Sequence, residues 1–387
     1  MKKAWEIKKL GEVCDLYQPK TISIKEMVND GMYSVFGANG IIGKYDKYNH
    51  EEPQLLITCR GATCGFVNIS EPKSWITGNA MVVRPIDSSA IDLKFLEYLF
   101  RGGIDLSKTI TGAAQPQITR QSLAQLSISY PQSIIEQQQI VAILDEVFAV
   151  VSKVKVNAQR NIQNVKELFE NSLQTIFKVK GKDWEKKSLK EISLEFARGK
   201  SKHRPRGDST LLNGKYPLIQ TGDISKANHW INEYSQSYNE KGLAQSKLWK
   251  KGTICIAIVG ANVAETAILN FDACFPDSVI GIVVNPAKAN NEYVDYLLQT
   301  FKTFLKEKGK GTARDNINLG TFEGQHFPFP SIKIQQEIVQ KLNTLSRETK
   351  KLETVYHQKI NSLEELKKSL LQKAFIGKLN MKTLVYE

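Results

Sequence analysis

Long apolar runs are missing: nowhere in the 387 residues do about 18 apolar residues follow one another, the length a bilayer-spanning helix needs. The opening MKKAWEIKKL also lacks the apolar core of a secretion signal. Cysteine is scarce. Cys14, Cys59, Cys64, Cys255 and Cys274 are odd in number, widely spaced and never in a Cys-x-x-Cys pair, which fits neither a disulfide framework nor a zinc knuckle. A cytoplasmic protein, neither secreted nor membrane-anchored, is expected.

Catalytic signatures are absent as well. His50, His203, His229, His326 and His357 show no paired ligand spacing, so no metal site is expected. No Gly-x4-Gly-Lys-Ser/Thr loop occurs to cradle a nucleotide phosphate. A methyltransferase needs a glycine-rich cofactor loop and an Asn/Asp-Pro-Pro-aromatic loop; Asn285-Pro286-Ala287 does not supply the latter. Pro276-Asp277 could open a nuclease motif, but no suitably placed Glu/Asp-x-Lys follows it. The chain is expected to be non-catalytic.

What is present is charge and repetition. Lys and Arg number 53 against 40 Asp and Glu, a formal +13, which favours a polyanionic partner such as nucleic acid. The excess is spread along the chain rather than held in a tail. Two helical stretches, beginning after Pro131 and Pro330, align without gaps at an offset of 198: Gln137 with Gln335, Ile140 with Ile338, Val141 with Val339, Leu144 with Leu342. Upstream, Trp5, Glu6, Lys8 and Leu10 match Trp184, Glu185, Lys187 and Leu189 at an offset of 179, which grows to 199 at Gly61 and Gly260. The second copy therefore holds about 20 extra residues, expected around 198–214. The domains read as globule 1–131, spacer helix 132–182, globule 183–330, spacer helix 331–378 and tail 379–387.

Each helical copy carries a four-then-three apolar seam, which calls for a coiled-coil partner. The first runs through Ile140, Leu144, Val147, Val151, Val154, Ala158, Asn161, Val165 and Leu168. The second runs through Ile338, Leu342, Leu345, Thr349, Leu352, Lys359, Leu363, Leu366 and Leu370. Equal seams on a chain that must return between them pack most simply as an antiparallel pair, with Asn161 and Lys359 pinning register. The globules contain short apolar runs bounded by Gly, Pro, Asn and Asp, at 54–58, 81–83, 253–259 and 279–284, and helical spacing at 93–100 and 292–305. The fold class is α+β: two β-rich globules separated by two long helices, an internal repeat with pseudo-two-fold character.

Several features suit DNA. Arg198, Lys200, Lys202, His203, Arg204 and Arg206 form a basic cluster without an acid, able to neutralise phosphates and offer Arg to guanine, or else to be a solvated loop. The first copy has Lys20 in the matching region, then Lys44 and Tyr45. One recurrent loop is Arg60-Gly61-Ala62 against Gly260-Ala261-Asn262. The other runs from Gly112 through Gln115 and Gln117 to Arg120, against Gly311 through Arg314 and Asn316. Gln, Asn and Arg there could contact base edges; capping or docking roles fit equally well.

The order Trp-Glu-x3-Leu-x-Glu, a Gly turn, Thr-Gly-x-x-Gln-Pro-Gln-Ile and Ile-x-Glu-Gln-Gln-x-Ile-Val, with its duplication, resembles the specificity subunit of type I restriction-modification systems. The second copy departs at Arg314-Asp315-Asn316 and Ile334-Gln335-Gln336-Glu337. The resemblance implies two target-recognition domains on an antiparallel spacer, reading an asymmetric bipartite sequence in double-stranded DNA. It implies assembly with two methyltransferase subunits and with restriction translocase subunits. S-adenosylmethionine, ATP and Mg are then cofactors of those partners, with none bound by this chain. The competing expectation is a coiled-coil protein-interaction scaffold without sequence-selective DNA binding.

Overall fold

The computed structural model describes residues 5–37, 39–112, 115–178, 181, 184–203, 205, 207–309 and 316–375. The chain divides into two compact units, one of the residues up to Arg160 together with those from Tyr356 onward, the other of Asn161–Val355. The longest elements, helices Ile134–Lys178 and Ile332–Phe375, each contribute to both.

In the first unit, an antiparallel sheet runs in the order Cys14–Tyr17, Ala80–Pro85, Leu55–Thr58, Val67–Ile69. Leu55–Thr58 is buried along its whole length because it is central and covered on both faces, which is why it reads as an unbroken apolar run. A smaller sheet joins Gly40–Tyr45, Tyr33–Gly37 and Trp75–Ile76. Strand Trp5–Lys9 pairs with Ser127–Pro131, so the globule's first and last strands close on each other where the chain enters the long helix. Its core unites Leu55, Ile57 and Phe95 with Ile140, Leu144 and Phe148 of the first long helix and Leu371 and Phe375 of the second.

The second unit repeats this order. Ser193–Arg198, Val279–Val284, Ile254–Ala257 and Thr266–Leu269 form the matching sheet, and Glu185–Lys187 pairs with Phe327–Phe329. A fifth strand, Trp230–Ile231, lies parallel to Thr266–Leu269 at the edge. About half of the extra residues of this copy fall between strands Leu212–Leu218 and Gln236–Tyr238: Leu218 pairs with Gln236 where Val35 pairs with Gly43 in the first copy, so 219–235 stand in place of 36–42. This corrects their expected position at 198–214. The insertion supplies helix Thr221–Lys226 and the added edge strand, covering backbone groups that an edge leaves unpaired.

The long helices run antiparallel within each unit. In the first, Lys155 bonds Glu364 at 2.5 Å and the Lys367 amine lies 5.0 Å from the Phe148 ring centroid, so position falls on one helix as it rises on the other. In the second, Leu173 and Phe177 share a core with Ile338 and Leu342. Of the expected seam, Ile140, Leu144, Val151, Val165, Ile338, Leu342 and Leu370 are buried, and Val147, Val154, Leu345 and Leu363 are half-buried. Leu168, Leu352 and Leu366 are 52%, 44% and 46% exposed and stand outside the packed stripe. A straight helix drifts about 20° per heptad from a strict seven-residue pattern. The buried stripe therefore moves to Val141, Phe148, Leu173, Phe177, Leu371 and Phe375, where each helix also serves its globule.

Candidate nucleic-acid interface

The two recurrent loops meet in each globule through the same crossing. In the first unit Arg60 and Gln117 form an antiparallel bridge, the Gly61 N–H donates to the Pro116 carbonyl at 3.1 Å, and the Ile118 N–H donates to the Cys59 carbonyl at 2.9 Å. In the second unit Val259 bridges Asn316 and the Ile317 N–H donates to the Ile258 carbonyl at 3.1 Å. Gly61 and Gly260 hold φ +84° and +72°, the left-handed region that glycine enters without a Cβ penalty, so the turn that permits the crossing needs those residues. Arg60, Gln115 and Gln117 are exposed together beside this crossing, with Arg120 exposed at the start of the next helix. The second copy replaces them: Val259 stands at the position of Arg60 and Asn316 at that of Gln117, while Asn262 is half-buried in the turn Gly260–Asn262. The same crossing thus carries different side chains in the two copies, Arg and Gln in the first and Val and Asn in the second.

Lys20 and Lys44 are exposed on separate elements, Lys44 and Tyr45 closing strand Gly40–Tyr45, where the Tyr45 ring meets Trp75 edge-on at 5.2 Å.

The basic loop is built rather than loose over its described part. Arg198, Lys200, Lys202 and His203 are exposed, yet the Arg198 guanidinium donates to the Asp277 carbonyl at 2.8 Å. The Lys200 N–H donates to the Phe275 carbonyl at 3.1 Å, and the Ser246 hydroxyl donates to the Lys200 carbonyl at 2.7 Å. Gln245 Oε1 accepts both the Lys202 and His203 N–H groups, at 2.6 and 3.0 Å, and His203 Nε2 lies 2.7 Å from Asp208. These bonds fix the backbone and leave the Lys200 and Lys202 side chains outward, the geometry a phosphate contact requires. Arg204, Arg206 and Arg314 lie outside the described residues, as does the expected tail 379–387.

Sequence reading missed the most elaborate polar cluster. His229, at φ +70°, delivers its imidazole from the insertion onto helix Asn291–Thr300. Its Nδ1 lies 2.7 Å from Asp295, its Nε2 3.2 Å from Glu292, and its ring stacks on Tyr296 with centroids 4.2 Å apart. Burial opposes the charge, but the two carboxylates outweigh it and push the pKa up to about 9, so the ring is an imidazolium with both N–H groups donating. No local spacing announced it, since its partners are 66 and 63 residues away. Beside it a cleft of about 820 Å³ is lined by Asn228, Trp230, Asn232, Arg347, Lys350 and Lys351.

Among the described residues no group of three or more His, Cys, Asp or Glu side chains is placed to hold a metal, and no helix is long and apolar enough to cross a membrane. Burial pushes the Cys14 thiol up to about 12 and those of Cys59 and Cys274 up to about 11, far from nucleophilic thiolates.

Comparison with known proteins bears on this architecture. Over 400 residues the chain is 25% identical to the type I restriction enzyme MjaX specificity subunit of Methanocaldococcus jannaschii, covering 98% of this chain and 85% of that protein. The Escherichia coli type I restriction enzyme EcoDI specificity subunit is 23% identical, covering 97% and 88%. In fold, the chain is similar to one from a type I R-M system solved to explain its complex assembly and conformational transition, with a TM-score of 0.79, 16% identity, and 97% and 98% of the two chains covered. The HsdS subunit from Thermoanaerobacter tengcongensis gives a TM-score of 0.63 at 16% identity, with 98% of each covered. The type I restriction modification DNA specificity domain matches residues 2–163 and again 181–365, one match per repeat, and the chain belongs to that family.

Proposed function

We propose that this chain is a DNA-addressing subunit, without catalysis of its own, which reads an asymmetric bipartite target and directs partner methyltransferase and restriction translocase subunits to it. The observation that carries the reading is the repeated loop crossing: Arg60 with Gln117 in one globule and Val259 with Asn316 in the other. Matching loop crossings that carry different side chains suit two different half-sites, because base edges are distinguished by the donor and acceptor pattern a side chain presents. B-DNA repeats about every 34 Å, so a non-contacted gap between half-sites is the expected form of such a target. The exposed apolar side chains Val150, Val156, Leu168, Leu352, Val355 and Leu366 along the long helices support coverage by other subunits, two methyltransferase copies for two repeats. S-adenosylmethionine, ATP and Mg belong in this reading to the partners, and the complex acts in the cytoplasm.

The test is a genome-wide map of methylated adenine in cells with and without the gene, its neighbouring methyltransferase active in both. Loss of one bipartite, asymmetric motif is the expected result. An unchanged map, together with no sequence-selective binding by the purified assembly, would return the chain to the protein-scaffold reading.

A further inference from the structure

Both long helices begin with the same buried device. Gln137 is 0% exposed, its Oε1 accepting the Asp92 N–H at 2.9 Å and its Nε2 donating to the Ala90 and Pro131 carbonyls at 2.9 and 2.8 Å. Gln335, 198 residues later, is also 0% exposed; its Oε1 accepts the Asn290 N–H at 2.9 Å and its Nε2 donates to the Pro330 carbonyl at 2.8 Å. Asp92 and Asn290 are themselves the N-caps of helices Leu93–Tyr98 and Asn291–Thr300. One primary amide therefore ties together the end of the globule's last strand or the residue just after it, its short helix and the first turn of the long helix. Only an amide offers an acceptor and two donors in one plane.

A second tie recurs further along. The Tyr98 hydroxyl donates to Asp145, and the Tyr296 hydroxyl donates to Asn343 at 2.7 Å. Eight residues separate the two anchor points on each helix, about 12 Å at 1.5 Å per residue. Two points so far apart fix a direction, where one would leave a pivot.

Apolar packing alone would bury these surfaces, and a Leu would fill the same space. It would also tolerate small rotations of globule on helix, because dispersion contacts have no preferred direction. A hydrogen bond made in a dry core does, since leaving its partners unmet costs more than the bond itself contributes.

We infer that Gln137 and Gln335 are positioning residues that set the angle between each recognition globule and its long helix, and so set the gap length the protein accepts between half-sites. The inference rests on the bipartite reading above. Gln137 governs the first half-site and Gln335 the second.

The test uses the full chain with its methyltransferase and a plasmid library carrying the target at its natural gap and at gaps one base pair shorter and longer. Gln137→Leu and Gln335→Leu should keep both half-site sequences while methylation at a neighbouring gap rises about tenfold relative to wild type, the effect expected on losing one or two such bonds. Gln137→Glu, which keeps shape and acceptor but at most one of the two donors, should do the same. Tyr98→Phe and Tyr296→Phe, which leave no cavity, serve if the Leu variants fail to fold. Folded variants that hold the wild-type gap overturn the inference. A wild-type complex that methylates no bipartite target at all removes the reading beneath it, an outcome visible in the control alone.

Discussion

His229 shows what one side chain contributes when it is enclosed by charge. Its imidazolium faces Asp295 and Glu292 of one helix and lies flat on Tyr296, while Glu292 also accepts from Asn343 Nδ2 at 2.9 Å. A group whose pKa is raised on folding stabilises the native state fully below its unfolded value, near 6.5, and loses that effect as pH rises through the folded value, about 9. The contribution is on the order of 2–3 kcal/mol near neutrality and is gone above pH 9. Thermal unfolding from pH 6.5 to 9.5 should therefore show a fall in wild-type stability that His229→Gln lacks; parallel curves would refute the charged pair. At the same scale, Gln245→Ala should release the Lys202 and His203 N–H groups and weaken DNA binding several-fold without lowering the melting temperature of the first unit, measured by anisotropy and calorimetry.

At the scale of the element, the seam residues separate into those that hold the helices together and those that do not. Leu144 and Leu342 are 1% and 0% exposed, so Leu144→Asp or Leu342→Asp buries an unpaired charge and should cost on the order of 3–5 kcal/mol in chemical denaturation. Leu352→Asp, at an exposed position of the same sequence pattern, should stay within about 0.5 kcal/mol of wild type. Equal losses at the two kinds of position would mean that the heptad pattern, rather than the observed stripe, describes the packing. The heptad pattern was legible because apolar residues recur at fixed intervals; its slippage was not, because the globule claims part of each helix and no local spacing records that claim. The insertion behaves alike: its length was readable from the change in offset, but the position of about half of it at 219–235 depended on which strands pair.

For the whole molecule the formal +13 predicts salt-dependent association with DNA. Replacing Lys200 and Lys202 together with Ala should lower the slope of log affinity against log salt by about one for each phosphate no longer neutralised, with Arg204→Ala and Arg206→Ala acting in the same direction. An unaltered slope would make the loop a solvated surface. The two loops that carry Arg60, Gln115 and Gln117 were each visible as repeated sequence, yet nothing local said that they cross, because Arg60 and Gln117 pair through a bridge that closes over the intervening chain.

The sequence by itself determined the duplication, the two long helices, the β-rich globules between them and the family resemblance, since each rests on periodicity or on alignment of the chain with itself. Tertiary structure decided which seam positions are buried, where the second copy's extra strand lies, and how Gln137, Gln335 and His229 find their partners. Those partners are brought together by packing between residues distant in the chain, so the hydrogen bonds and charges that fix them leave no mark on neighbouring residues.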